Sequence, residues 1–476
     1  MRSFRVLAVV ALTALLAAAC YPRPDFAPPV GPRAELRHSG RWLTDEWGRV
    51  VNLHGVNFVK KFPPISPAAA GFGADDAAFL HDQGFNVVRL GVVFGSVMPQ
   101  PGIIDQAYVD SIASTVRVLA RENIFTLVDF HQDGYGPLVH GNGFPEWATL
   151  TDGLPNPNDP FPTYYLTNPA MQRAFDNFWL NKPGPDGVPL QTHYAEAMRA
   201  VAAAVHDEDY VLGYDTFNEP WPGSVFDTCL APGCPDIEQA RLVPFNQRMT
   251  AAIRTVDRDH FVFSEPFTLF NFGQADTSLS GIGAPLAGLS FHAYALDAAG
   301  DASAMDRAIA ASTRGDALLA TEFGATTDTA TLRRQTGQFD TRLIPWIFWS
   351  YDENMVHDLN QVPTGSNLQA STLDALVRPN PMVTNGTPTT SSFDAATGTF
   401  DYTYRARHPD GSAADPKYRT SILLPSRVYP LGYTVTVDGA TVHRCTTTLT
   451  LRNDPSATDV HVHVTRGGPC GLPKVP

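Results

Sequence analysis

Between about residues 40 and 375, short apolar runs alternate with longer amphipathic stretches, which predicts strands and helices in turn. The predicted strands span residues 50–57, 86–92, 125–130, 211–217, 260–264, 289–291, 318–321 and 346–349. The predicted helices include residues 106–122, 194–206, 237–256 and 305–312. Eight successive strand–helix units are typical of a (β/α)8 TIM barrel, so we predict an α/β fold of this type over residues 39–378.

The helical periodicity stops near Arg378, where short runs of alternating apolar and polar residues take over. These runs cover residues 400–404, 421–424, 433–437, 447–451 and 460–464. The pairs Asp410-Gly411 and Asp438-Gly439 lie between runs and are turn signals. We therefore predict that an antiparallel β-sandwich over residues 379–476 follows the barrel as a second domain.

The first residues of the chain are typical of an export signal. Arg2 and Arg5 precede an apolar stretch, residues 6–19, that is too short to span a bilayer stably. Small residues before Cys20 resemble a bacterial lipobox, in which the cysteine is lipidated; ordinary signal-peptidase cleavage is the alternative. We expect a signal peptide over residues 1–20, a proline-rich spacer over 21–38, and a protein that is secreted or lipid-anchored at the bacterial cell surface.

The chain carries a formal net charge of −14 and has no long basic run. This argues against nucleic acid as a partner. Hydrophobic residues make up 43% of the sequence, which is enough for a large core. We expect a monomer that needs no cofactor and no metal ion.

The five cysteines fit an exported protein. With Cys20 as the candidate anchor, the remaining four form two local pairs, Cys229 with Cys234 and Cys445 with Cys470. The alternative for the first pair is two free thiols in a loop. No second cysteine or histidine pair lies nearby at ligand spacing, so a zinc site is not expected.

Two glutamates follow predicted strands. Glu219, in Asn218-Glu219-Pro220, follows the fourth strand, and Glu322 follows the seventh. A carboxylate at the end of an apolar strand is costly to bury for packing alone, and barrels carry their chemistry at these strand ends. Two carboxylates facing each other are the minimal equipment for hydrolysing a glycosidic bond. We therefore predict that Glu219 is the acid/base and Glu322 the nucleophile; Glu265 also ends a strand, but we give it no catalytic role.

Other polar and aromatic residues fall at the same positions. Arg89, at the end of the second strand, is placed to keep Glu322 ionised. His131 and Asp133 share one face of an extended segment, as ligands for sugar hydroxyls or orienters of the carboxylates. The alternative for this pair is a metal site, which would need further ligands.

A second group of strand-end residues completes the predicted site. Asn218 is placed to hydrogen-bond a sugar hydroxyl, and the Tyr294 hydroxyl to bond the nucleophile with His292 nearby. Trp349 offers a stacking surface for a sugar ring. Lys61 is either a glycan ligand or part of a solvated loop.

Together these residues resemble glycoside hydrolase family 5, and within it the endoglycoceramidase group. Beside the two glutamate motifs, the resemblance rests on KFPP at 61–64, FNVVR at 85–89, DFHQD at 129–133, GNGFPEWA at 141–148 and AFDNFW at 174–179. It covers most of residues 45–465. It implies hydrolysis of the bond between a glycan and ceramide, with release of an intact oligosaccharide and retention of configuration.

The same resemblance implies a glycosphingolipid substrate, presented in micelles or membranes. It gives the first sugar six ligands: Lys61, His131, Asp133, Asn218, Tyr294 and Trp349. Residues 59–64 look more like the branch that cleaves galactosylceramide-type linkages. Loop aromatics are candidates for contact with the lipid tails, without an assigned role: Phe62, Phe144, Trp147, Phe161, Tyr164, Tyr165 and Phe226.

Two alternatives share much of this pattern. A family 5 glycosidase acting on soluble β-glucan or β-glucosides would have the same catalytic residues. A non-catalytic protein that binds glycans or lipids at the cell surface is the alternative from another functional class. The presence of both glutamates disfavours it.

Overall fold

The computed structural model describes residues 34–471. The predicted signal peptide, Cys20 and most of the proline-rich spacer lie outside these residues. The described chain opens with three short antiparallel strands, β1 (Leu36–Ser39), β2 (Trp42–Asp45) and β3 (Val50–Val51). None of the helices within residues 34–471 is long and apolar enough to cross a membrane.

Eight parallel strands then close into a barrel, which confirms the predicted fold. They are β4 (His54–Phe58), β5 (Val87–Val92), β6 (Phe125–Phe130), β7 (Val211–Asp215), β8 (Phe261–Ser264), β9 (Ala287–Ala293), β10 (Ala317–Phe323) and β11 (Trp346–Phe348). The ring closes where β11 pairs with β4. Apolar side chains from several strands, among them Phe125, Leu212, Phe263 and Leu319, fill the amino-terminal end of the barrel. The carboxyl-terminal end is therefore left for polar side chains.

Helices surround the barrel. They are α1 (Ala74–Gln83), α2 (Phe94–Val97), α3 (Gln106–Arg121), α4 (Tyr164–Thr167), α5 (Pro169–Trp179), α6 (Leu190–Val205), α7 (Pro235–Ile253), α8 (Ala298–Ser312), α9 (Thr329–Arg342), α10 (Tyr351–Asn354) and α11 (Ala370–Leu376). Helix α3 illustrates how such a helix is capped at its start and buried along one face. Asp105 caps it by accepting a hydrogen bond from the Tyr108 amide, and Val109, Ile112 and Val116 bury one face at helical spacing.

The carboxyl-terminal part is made of antiparallel strands, as predicted. They are β12 (Asn380–Thr384), β13 (Thr387–Asp394), β14 (Thr399–Arg405), β15 (Thr420–Leu423), β16 (Tyr433–Asp438), β17 (Ala440–Cys445), β18 (Thr448–Asn453) and β19 (Asp459–Arg466). Four of them form one sheet in the order β13-β14-β19-β16. The other sheet has seven strands in the order β1-β2-β3-β12-β15-β18-β17.

The second sheet corrects the start of the predicted barrel. Strand β3 pairs with β12, so residues 36–51 extend the sandwich and the first barrel strand begins only at His54. The predicted strand over residues 50–57 is thus two strands that belong to different sheets. Alternation along a sequence shows that a segment is extended, but it does not identify the distant strand with which it pairs.

Candidate active site

The carboxyl-terminal ends of the barrel strands bring the predicted residues together. Glu219 follows β7 and Glu322 lies near the end of β10. One oxygen of Glu219, one oxygen of Glu322 and one ring nitrogen of His292 all lie within 4.8 Å of one another. The two glutamates therefore face each other across one narrow space.

Arg89 lies at the centre of the site and is fully buried. Its guanidinium donates to Glu322 Oε1 at 2.6 Å, to Asp129 Oδ1 at 2.9 Å and to Asp215 Oδ2 at 3.1 Å. It also donates to the Asn218 side-chain oxygen at 2.9 Å. Burial lowers the pKa of Arg89, but the surrounding carboxylates outweigh burial and raise it, so the group stays charged.

Glu322 receives three donors or potential donors. Beside Arg89 on Oε1, the Tyr294 hydroxyl donates to Oε2 at 3.0 Å, and His292 Nδ1 lies 3.5 Å from the same oxygen. Burial raises the pKa of Glu322, whereas the positive charge of Arg89 acts in the opposite direction. The contacts predicted for Arg89 and Tyr294 are those that the structure contains.

Glu219 is held by its backbone as well as by its side chain. Its φ of 43° lies in the left-handed region, which costs a non-glycine residue about 1 kcal/mol or more. Its amide donates to Glu265 Oε2 at 2.9 Å, and its carbonyl accepts from Gln132 Nε2 at 3.1 Å. These two contacts fix the peptide on both sides of the residue.

Glu219 Oε1 lies 2.8 Å from His292 Nδ1. Burial, with a contribution from the charge of Asp133, raises the pKa of Glu219 to about 7. Burial also lowers the pKa of His292 to about 3, so this imidazole is neutral near pH 7. The two glutamates thus differ: Glu322 is next to a permanent cation and Glu219 is next to a neutral ring.

A second cluster in the site consists of Lys61, Asp133, His131 and Trp349. Lys61 Nζ lies 2.7 Å from Asp133 Oδ2 and 4.2 Å from the centre of the Trp349 ring. His131 stacks on Trp349 with ring centres 5.4 Å apart, and its Nδ1 lies 2.7 Å from Asp129 Oδ2. Burial lowers the pKa of His131, but Asp129 and Asp133 outweigh it and raise the value to about 9.

The structure adds residues that the sequence analysis missed. Asp129 and Asp215 are buried carboxylates in β6 and β7 that neutralise Arg89. Gln132 holds the carbonyls of Asn218 and Glu219, and Glu353 accepts from Trp349 Nε1 at 2.9 Å. A charged residue within an otherwise apolar strand is the signal that could have identified Asp129 and Asp215.

Distance alone would allow a metal ion between Glu219, His292 and Glu322, the one such group among residues 34–471. Both oxygens of Glu322 already accept hydrogen bonds from Arg89 and Tyr294. His131 and Asp133, the pair considered as metal ligands, are instead engaged with Asp129 and Lys61.

Loops around the site enclose two depressions. A groove of ≈ 700 Å³ is formed by the loops after β4, β5 and β6; most of its lining is apolar, with Phe62, Ile65, Phe144 and Trp147, and Lys61 lies at its edge. A cavity of ≈ 230 Å³ lies above β7, β8 and β9, and its lining includes Leu230, Leu269, Phe272 and Leu296.

Both predicted disulfides are present. Cys229 is bonded to Cys234 in the loop after β7, and Cys445 is bonded to Cys470 at the end of the sandwich. The first pair borders the smaller cavity, because Cys229 contributes to its lining.

Comparison with known proteins identifies the family. The profile of the cellulase family (glycosyl hydrolase family 5) matches residues 45–355, and that of the glycoside hydrolase family 5 C-terminal domain matches residues 378–465. Endoglycoceramidase I of Rhodococcus hoagii is 32% identical over 446 residues, which cover 87% of this chain and 84% of that protein.

Solved structures agree with this result. Endo-glycoceramidase II from Rhodococcus sp., solved as a lactosyl-enzyme intermediate, has 30% identity and a TM-score of 0.73, and the match covers 90% of this chain and 100% of that one. An endogalactoceramidase with 24% identity and a TM-score of 0.65 matches over 91% of this chain and 100% of that one and shares the fold. The chain is a glycoside hydrolase that belongs to family 5 and, within it, to the endoglycoceramidase group.

Proposed function

We propose that this protein is a retaining endo-glycosidase that hydrolyses the bond between oligosaccharide and ceramide in glycosphingolipids. The observation that carries the proposal is the Glu219–Glu322 pair, whose oxygens approach within 4.8 Å. Retaining glycosidases place their two carboxyl groups about 5 Å apart, whereas inverting enzymes leave about 6.5–9.5 Å for a water molecule. The endoglycoceramidase relatives and the lactosyl-enzyme intermediate of one of them support the same chemistry.

In the first step, a carboxylate oxygen of Glu322 attacks the anomeric carbon of the sugar attached to ceramide. The bond from that carbon to the ceramide oxygen breaks, and Glu219 gives its proton to the departing oxygen. In the second step, Glu219 removes a proton from water, whose oxygen attacks the same carbon; the bond between that carbon and Glu322 breaks, which releases the oligosaccharide and restores the Glu322 carboxylate. Two inversions at one carbon give net retention.

The surroundings of the two glutamates suit these different roles. Arg89 stabilises the ionised form of Glu322, as a nucleophile requires. Glu219, with a pKa raised to about 7 by burial, is protonated in a large fraction of molecules near neutral pH and can act as an acid and then as a base. The neutral His292 ring, 2.8 Å from Glu219, can hydrogen-bond to the Glu219 carboxyl group in both its protonated and its ionised form.

We place the oligosaccharide in the larger groove because the groove adjoins the Lys61 cluster, and because its aromatic side chains Phe62 and Trp147 can stack on sugar rings. It begins at Lys61, which belongs to the cluster that would hold the first sugar, and extends past Gln100 to Trp147. Its volume of ≈ 700 Å³ is larger than a single sugar ring needs, and it is open to solvent at the exposed side chain of Phe62. Release of an intact oligosaccharide requires room for several sugars, and an open groove on this side provides it.

The smaller cavity suits the start of the ceramide. Because Glu219 protonates the leaving oxygen, we place the aglycone on the side of Glu219, toward the loops after β7, β8 and β9 that line this cavity. Apolar side chains are exposed there: Leu296 is 99% exposed, Leu230 50% and Phe272 38%. These exposed apolar side chains can contact a lipid chain.

The predicted preference for galactosylceramide-type linkages and the soluble β-glucan alternative can be tested together. Purified protein would be incubated in detergent with lactosylceramide, with galactosylceramide and with a soluble β-glucan, and mass spectrometry would detect ceramide, intact glycan and shortened glucan. The Glu322→Gln variant is the matched inactive control. Release of ceramide supports the proposal, and the faster lipid substrate identifies the preferred linkage. Cleavage of the glucan without any ceramide would replace the proposal with an ordinary family 5 glycosidase.

A further inference from the structure

Glu265 is a third carboxyl group in the site, and the two-carboxylate mechanism does not use it. It follows β8 directly and is 2% exposed. Within residues 34–471 no lysine or arginine forms an ion pair with it; its nearest basic neighbour is His292, whose Nε2 lies 3.5 Å from Oε2. A buried carboxylate without a cation is costly, so its presence calls for a specific role.

The contacts of Glu265 converge on Glu219. Its Oε2 accepts the Glu219 amide at 2.9 Å, and its Oε1 accepts Asn271 Nδ2 at 3.1 Å. The same Asn271 nitrogen lies 3.5 Å from Glu219 Oε1. Asn271 also accepts the backbone amide of His292 at 3.0 Å, so Glu265, Asn271 and His292 form one frame around the acid/base.

One polar atom of this frame has no partner. His292 Nε2 is buried and makes no hydrogen bond within the described chain, although Glu265 Oε2 lies 3.5 Å away. A neutral carboxyl group on Glu265 would have a proton to donate, and this nitrogen is the acceptor in front of it. The proton on the His292 ring would then be on Nδ1, which lies 2.8 Å from Glu219 and 3.5 Å from Glu322.

We propose that Glu265 is a positioning residue that acts as a neutral carboxylic acid: it fixes the backbone of Glu219 and keeps its proton, with which it donates a hydrogen bond to His292 Nε2, so that the Nδ1–H of His292 faces both catalytic carboxylates. Glu219 can then lose its proton to the leaving oxygen next to a fixed hydrogen-bond donor. The charged groups around Glu265 are Asp215, Glu219 and Arg89. Burial, followed by the two carboxylates, raises the pKa of Glu265 well above its ordinary value, and Arg89 opposes them.

The test compares Glu265→Gln with Glu265→Leu. With its side-chain nitrogen in the place of Oε2, glutamine keeps a donor for His292 Nε2 and loses only the acceptor for the Glu219 amide, whereas leucine has a similar size and no polar atom. On lactosylceramide we expect kcat/KM of E265Q to stay within about tenfold of the wild type and that of E265L to fall about 100-fold, the scale of a lost general acid. A loss in E265Q as large as in E265L, or an unchanged E265L, would overturn the proposal. If E265L does not fold, a loss in E265Q above about tenfold decides against it.

A second substrate separates positioning of the acid from general damage. A 2,4-dinitrophenyl lactoside needs no proton on its leaving group, so E265L should lose less than about tenfold in kcat/KM with it. Equal losses on both substrates would mean a purely structural role and would overturn the inference. The matched control is Glu238→Gln, because Glu238 is another buried carboxyl group, held by Thr277 and Ser278 away from the site.

The inference rests on the proposed function, and the two can fail separately. If the wild type cleaves neither lactosylceramide nor the aryl lactoside, the proposed function fails. If the wild type cleaves both and the Glu265 variants behave as a structural residue would, only the role of Glu265 is wrong.

Discussion

Arg89 Nη1 lies 2.6 Å from Glu322 Oε1, and both side chains are buried at the carboxyl-terminal end of the barrel. The guanidinium is also paired with Asp129 and Asp215, so its charge is shared among three carboxylates. This arrangement keeps a carboxylate ionised inside the protein, where burial alone would favour its protonated form.

Replacing Arg89 with methionine should therefore inactivate the enzyme and destabilise it. We expect kcat/KM to fall at least about 100-fold, because Glu322 loses its counter-charge, and stability to fall by about 3–5 kcal/mol, because three carboxylates lose their cation. Activity assays and thermal unfolding measure the two effects. Arg117→Met, which removes an exposed ion pair with Glu208, is the control. Normal activity in R89M would show that the nucleophile does not depend on this pair.

The two glutamates should respond differently to the leaving group. Glu219→Ala should lose about 10²–10⁴-fold in kcat/KM on lactosylceramide and far less on a dinitrophenyl lactoside, which needs no acid. Added azide should restore turnover of E219A and give the β-glycosyl azide. Glu322→Ala should be inactive on both substrates. The assignment of roles would be reversed if E322A, rather than E219A, kept activity on the aryl substrate.

The pH profile should be bell-shaped. Glu219 must be protonated to act as the acid, and with its pKa raised to about 7, kcat/KM should fall about tenfold per pH unit above that value. Glu322 must be ionised, and burial raises its pKa, so activity should also fall toward low pH, starting above its ordinary value of 4.5. Because Glu219 and Glu322 lie close together, the two limbs of the pH profile report apparent pKa values of the pair and not of single residues. A profile that still rises between pH 7 and 9 would contradict the assignment of Glu219.

Trp349 and Trp346 provide a matched pair. Trp349 borders the sugar cluster beside Lys61 and His131, whereas Trp346 is fully buried and packs on His54. We expect Trp349→Ala to lower kcat/KM about tenfold, as for a lost ring stack, and also to lower the melting temperature, because the side chain is buried. Trp346→Phe should lower the melting temperature and leave substrate affinity unchanged. The same effect of both variants on KM would contradict the stacking role.

Removal of the disulfides should affect stability in proportion to the loops that they close. Cys229–Cys234 closes a separation of 5 residues and Cys445–Cys470 one of 25. Loop-closure entropy gives about 2 and about 3.5 kcal/mol, respectively. Serine pairs at each site, measured by denaturant unfolding, should show the larger loss for the second pair. Equal losses would mean that contacts, rather than loop closure, determine the contribution.

Much of the site could be predicted because, in a TIM barrel, the carboxyl-terminal ends of all eight strands lie at the same end of the barrel. Each residue at the end of a predicted strand falls on one rim, so Glu219, Glu322, Arg89 and Trp349 could be grouped without coordinates. The role of Glu265 could not be predicted in this way, because it depends on a backbone contact to Glu219 and on the orientation of His292.

Other features depended on distant pairing or on burial. Strands β1–β3 join the sandwich because β3 meets β12, more than three hundred residues away along the chain. Among the aromatics considered for lipid contact, Phe144, Tyr164 and Tyr165 are buried, whereas the apolar side chains exposed beside the smaller cavity are Leu230, Phe272 and Leu296. Composition does not distinguish a loop aromatic that packs inward from an aliphatic side chain that faces solvent.

The most direct test of the proposed activity is hydrolysis of lactosylceramide in water enriched in ¹⁸O, with both products measured by mass spectrometry. The mechanism predicts intact lactose with one ¹⁸O at its anomeric position and ceramide without the label, because the bond between the anomeric carbon and oxygen breaks. Unchanged lactosylceramide, stepwise release of single sugars, or label in the ceramide would contradict it.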